Sequence, residues 1–130
     1  MDNEKIKFDE RVSEILRKIG IPSKLSGFHY IIDCVYHIVE EDDRIDKMYM
    51  IYSLVAKDFQ TNDRCVESAI RHAVDIIYFK RRVRLVNKFF GYKIFSDLGR
   101  PTSNQILMLV ANKLSEEFYF DDDGTLKSIT

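Results

Sequence analysis

Apolar residues return along this chain every three to four positions, in segments separated by short polar or glycine-containing breaks. Phe8, Val12, Ile15, Leu16 and Ile19 share one helical face, and Gly20 followed by Ile21-Pro22 ends that first helix. A second helix, from about Ser26 to Glu41, aligns Phe28, Ile31, Ile32, Val35, Ile38 and Val39. The acidic run Glu40 to Asp43 breaks the pattern. It reads as a solvated loop and the first turn of the next helix, where carboxylates suit the dipole. Between Ile45 and Phe59 the spacing resumes through Met48, Tyr49, Tyr52, Val55 and Ala56, as one helix or two short ones. Gln60-Thr61-Asn62 is a tight break, and Asn62 is a good N-cap for a helix from about Asp63 to Phe79. A fifth helix covers Val83 to Phe90 and stops at Gly91, and Tyr92 to Pro101 is loop-like. Thr102 and Gln105 are spaced as a capping box for a last helix reaching about Phe118. The remainder, Tyr119 to Thr130, is acidic and reads as a loose tail. The pattern predicts an all-α, compact six-helix domain over 1–130 that contains a helix-turn-helix.

Composition narrows the class. With 130 residues, 45% hydrophobic and 32% charged, the chain suits one globular domain. Two prolines and five glycines are too few turn-makers for many short strands. No apolar run reaches the ~18 residues of a membrane span, and the mixed-charge segment Met1 to Lys7 lacks the apolar stretch of a signal peptide. Cys34 and Cys65 have no paired spacing for zinc or redox work, and read as reduced thiols of a cytoplasmic protein.

The net charge of −1 hides an uneven distribution. Residues 60–113 carry ten basic and four acidic side chains, whereas both flanks are net acidic. A local positive field attracts phosphates whatever the total. Within this block the helix over 63–79 is the most informative element. Val66, Ala69, Ile70, Ala73, Val74 and Ile77 form its apolar stripe, and Arg64, Glu67, Ser68, Arg71 and Asp75 gather opposite. A helix packed on one side and lined with donors and acceptors on the other is what reading base edges in a major groove requires. An ordinary core helix with a solvated face has the same pattern. Ala56 is small where two helices of such a motif must approach, and Val55, Phe59 and Val66 would fill the corner. The glycine common in the turn is missing, with Gln60 nearby. Residues 80–100 add Lys80, Arg81, Arg82, Arg84, Lys88, Lys93 and Arg100 against the single acid Asp97, more cations than a helix C-terminus needs. Phosphate contact is the expectation.

Several ordered matches then point to a family. They include Ile-Gly-Ile-Pro at 19–22, Gly-Phe-His-Tyr at 27–30, Val-Ala-Lys-Asp-Phe at 55–59 and Val-Glu-Ser-Ala-Ile-Arg-His-Ala at 66–73. Others are Phe-Gly-Tyr at 90–92, Pro101-Thr102, and Val-Ala-Asn-Lys-Leu at 110–114. Over roughly Ile15 to Leu114 the chain resembles the C-terminal effector domain of the sporulation-initiation response regulator. The resemblance implies six helices with the fourth reading promoter DNA, binding as tandem copies or a homodimer, and contact with the RNA polymerase sigma subunit. The family's groove-facing Glu and second Arg map onto Glu67 and Arg71, suited to a cytosine amino group and a guanine respectively. Base reading is therefore assigned to Glu67, Ser68 and Arg71, and backbone contact to Asn62, Arg64, Lys80, Arg81, Arg82 and Lys88. The chain departs from the pattern at Cys65 and Ser68, where the family usually places arginines. The receiver domain that such regulators carry has no counterpart in residues 1–14. The alternative is a stand-alone relative, impaired in DNA binding, that modulates the full-length regulator as a protein-interaction module.

Enzyme chemistry finds no constellation, and no cofactor is expected. His37 with Glu40 and Glu41 is the nearest approach to a metal cluster, but a site needs three or four convergent ligands, and none is assigned. His29 reads as a packing or hydrogen-bonding group near the start of the second helix, and His72, which flanks the reading face, as a contact to a phosphate or to a buried carbonyl. Asp121-Asp122-Asp123-Gly124 matches part of a calcium loop, but Tyr119 and Thr130 stand where that pattern needs other ligands.

Overall fold

A computed structural model describes residues 2–41 and 48–129. The helices are α1 (Asn3–Lys18), α2 (Ser26–Glu41), α3 (Met48–Asp58), α4 (Asp63–Phe79), α5 (Val83–Phe90) and α6 (Ser103–Ser115), followed by strands β1 (Phe118–Phe120) and β2 (Leu126–Ser128). The all-α plan therefore holds. The acidic break at 42–43 and the start of the third helix at 45–47 lie outside the described residues.

Helix α2 is the hub, packing on α4, α6, α3 and α1. Phe28, Ile31, Cys34, Val35, Ile38 and Val39 are buried along it, which is why its apolar face is wider than that of a helix with one neighbour. The approach to α4 is closest at Gly27. A Cβ there would lie 2.8 Å from the Ala69 carbonyl carbon and 2.9 Å from Ala73 Cβ, and nearer still to the Ala69 carbonyl oxygen.

Three helices end in the same way. After α1, α3 and α4, a residue at positive φ turns the chain: Gly20 (97°), Gln60 (55°) and Arg81 (55°). In each case the next amide reaches back to the helix: Ile21 N to Leu16 O at 2.9 Å, Thr61 N to Ala56 O at 2.9 Å and Arg82 N to Ile77 O at 2.7 Å. These are Schellman ends, and two of them do without glycine. Helix α4 starts on Asn62, whose side chain accepts from Cys65 N at 2.9 Å. The capping box of Thr102 and Gln105 is present at α6.

The C-terminal segment differs from expectation. Helix α6 stops at Ser115, and Phe118 lies in a strand. Far from loose, residues 118–128 form an antiparallel hairpin, with Phe118 opposite Ser128 and Phe120 opposite Leu126. Phe118 and Leu126 are buried. Phe8 meets the rings of Phe118 and Tyr36 edge-on, and Tyr36 meets Phe120. Arg11 holds Glu117 with two hydrogen bonds, at 2.8 and 3.1 Å. The Asp121 carboxylate accepts from the amides of Asp123 and Thr125, so the aspartate-rich turn bonds to itself. Three aromatic or aliphatic anchors outweigh its acidic composition.

Candidate nucleic-acid interface

Helices α3 and α4, joined through Phe59–Asn62, make the helix-turn-helix. Val55, Ala56 and Val66 are buried between them and the core, as the sequence suggests. Phe59 is not; it is 44% exposed and stacks edge-on with Tyr30 at 5.0 Å, because the left-handed Gln60 swings the chain away just after it. Ser53 Oγ donates to Asp63 Oδ2 at 2.6 Å, a second tie between the two helices.

The stripe Val66, Ile70, Ala73, Val74 and Ile77 is buried, and Arg64, Cys65, Glu67, Ser68, Arg71 and His72 are exposed. Asp75 is the exception on the polar face. It is half-buried and takes hydrogen bonds from Arg100 at 3.1 and 3.4 Å, while the Arg100 guanidinium lies 5.1 Å from the rings of both Tyr78 and Phe79. The hairpin packs on α1, α2 and α6, and the ridge stays open.

Arg71 Nη2 donates to Glu67 Oε1 at 2.7 Å. Both side chains are more than half exposed, so separating them costs about 0–1 kcal/mol, less than the ~1–3 kcal/mol that a bidentate arginine–guanine contact supplies. The pair presets the two side chains without locking them. Beside them runs a shallow groove bounded by Met48, Tyr49, Tyr52 and the start of α6 at Thr102–Asn104. Tyr52 donates from its hydroxyl to Asn104 Oδ1 at 3.4 Å, and burial pushes its pKa up to about 12. The sequence reading missed Tyr52 and Asn104 as a floor for Arg71, since residues 52 places apart carry no local signal.

The cations of residues 80–100 divide. Arg82 is half-buried; its guanidinium donates to the Gly20 carbonyl and its side chain occupies the space above Gly20. It secures α5 to α1, and its assignment to a phosphate is corrected accordingly. Arg100 is likewise committed to α4. Lys80, Arg81, Arg84, Lys88 and Lys93 are exposed. Asn62 keeps only its amide NH₂ free, since its oxygen caps α4.

An exposed helix of hydrogen-bonding residues, packed through a helix-turn-helix and flanked by unburied cations, has the arrangement of a DNA-binding domain of a transcription regulator. The family comparison is specific: residues 12–114 match the family model described as Sporulation initiation factor Spo0A C terminal. The chain belongs to this family, which is not an enzyme family, and it is a DNA-binding, sporulation-related transcription factor domain. Among the described residues no helix is long and apolar enough to cross a membrane.

Proposed function

We propose that this domain binds promoter DNA sequence-specifically in the cytoplasm, with α4 in the major groove. Glu67, Ser68 and Arg71 contact base edges, Arg64 and the Asn62 amide hold phosphates at the start of α4, and Lys80, Arg81 and Lys88 hold them beyond its end. The observation that carries this reading is the ridge itself: every base-reading candidate is exposed, while the opposite face of the same helix is buried. Tandem copies on DNA and a contact with the polymerase sigma subunit follow as further parts of the proposal. The test is a titration of sporulation-promoter DNA at two salt concentrations. Arg71→Ala is expected to weaken specific binding by about 5- to 150-fold, the equivalent of ~1–3 kcal/mol. Affinity that survives this change and is indifferent to salt refutes the proposal.

The exposed Cys65 and Ser68 favour a second reading, since neither can make a bidentate guanine contact. In it, the domain pairs with a full-length regulator and obstructs tandem assembly. Pull-down with that regulator separates the readings: clear DNA shifts without a protein complex exclude the second.

A further inference from the structure

Where α2 passes the end of α3, three ligand-type side chains converge outside the DNA-reading surface. Asp33 and His37 stand one turn apart on α2, and Asp58 is the last residue of α3. His37 Nε2 lies 2.7 Å from Asp58 Oδ2 and 3.5 Å from Asp33 Oδ2, and one ligand atom from each residue falls within 4.8 Å of the others. The His37 and Asp33 side chains are only 13% and 16% exposed, whereas Asp58 is 45% exposed. Asp33 Oδ2 is buried without a hydrogen-bond partner. On the far side of the ring, Nδ1 sits 3.5 Å from Glu40 Oε1.

One ring nitrogen thus faces two carboxylates, and a single N–H serves only one of them well. A divalent cation serves both. Zinc bonds of ~2.0–2.1 Å in a tetrahedron separate neighbouring ligand atoms by about 3.3 Å, a value that the two observed distances bracket. A nitrogen with two carboxylate oxygens is a donor set zinc accepts, and the open Asp58 side admits water as a fourth ligand. A carboxylate near the other ring nitrogen is the usual outer partner of a metal-bound histidine, fixing the tautomer with Nε2 free to ligate; Nδ1 is buried without a hydrogen-bond partner, and Glu40, 3.5 Å away, is the carboxylate placed to close on it.

We propose that Asp33, His37 and Asp58 bind one zinc ion, which ties α2 to the end of α3 immediately before the helix-turn-helix turn. Zinc takes the position of the Nε2 proton, which passes to solvent, so binding releases it. The experiment is calorimetric titration of zinc into the full chain near pH 7.5, with circular dichroism establishing that each variant is folded. One ion per chain is expected, with His37→Gln and Asp58→Asn each weakening binding at least tenfold, and Glu40→Gln by about tenfold. Asp58 is on the rim, so its variant reports on the ligand and not on the core. Cys65→Ser, which removes the exposed competing thiol, should bind like the parent. Absence of zinc uptake by the parent, parental affinity in either the His37 or the Asp58 variant, or loss of binding in Cys65→Ser overturns the proposal.

Discussion

Replacing Gly27 by alanine tests how the reading helix is seated. In a free helix this change stabilises, by up to about 1 kcal/mol, because glycine has the greater backbone entropy to lose. Here the added methyl would press on the Ala69 carbonyl and lie 2.9 Å from Ala73 Cβ. Backbone cannot rotate out of the way as a side-chain tip can, so α2 and α4 must separate by several tenths of an ångström or more. Overpacking of this kind costs typically ~1–3 kcal/mol, and the parted helices also weaken contacts around Phe28, Ile70 and Ala73, all buried. The steric term wins, and a net loss of about 1–3 kcal/mol is expected. For a domain of this size that lowers Tm by roughly 3–6 °C per kcal/mol. Urea denaturation followed by circular dichroism is the assay, because an unchanged slope with a lower midpoint isolates stability. Ala73→Gly in the same background should restore little, since it leaves the Ala69 carbonyl in place. A more stable Gly27→Ala protein, or full rescue by Ala73→Gly, would refute the close backbone approach.

Changing Lys80, Arg81 and Lys88 together to glutamine should flatten the slope of log affinity against log salt by about 2.5–3, near 0.9 per phosphate contact; filter binding across a salt series around ~0.1 M, where the screening length is ~10 Å, measures it. Gln60→Gly should stabilise by roughly 0.5–1 kcal/mol, because it removes the cost of a side chain at positive φ, and thermal melts will show whether it does. For His37, burial opposes the charged ring, but the facing carboxylates of Asp33 and Asp58, the latter accepting a hydrogen bond from Nε2, outweigh it and push the pKa up to about 9 from an ordinary 6.5. Glu40 on α2 also faces the ring, and Lys57 adjoins Asp58. A raised folded-state value means that this contribution is full below about pH 6.5 and is lost as pH rises through about 9. Up to ~3 kcal/mol is at stake, reduced because burial raises the Asp33 pKa and leaves that carboxylate less readily charged. Chemical denaturation with chelator present should follow this fall, and His37→Gln should abolish it.

The helices were legible because each one's burial has a local period: α1, α2 and α4 need only their own residues to show a face. Asn62 and the Thr102–Gln105 box were legible for the same reason, being contacts within four residues. The hairpin was not. Its strands have three residues each, too short for alternation to register, and their stability comes from Phe8 and Tyr36, more than 80 residues earlier. The cations divide along the same line. Spacing identifies Arg82 and Arg100 as basic, but only the fold shows one directed at Gly20 and the other at Asp75. Sequence places His37 only beside Glu40 and Glu41, while its strongest partner, Asp58, is 21 residues away.

The hairpin has a topological consequence. Ser128 hydrogen-bonds to Glu4, and β2 lies against α1, so the first and last turns of the molecule share one edge. A short linker could join them, and a circularly permuted version opened in the 92–99 loop should keep the same interior. Any cargo joined through either segment would leave from that common edge, where the hairpin packs on α1, α2 and α6.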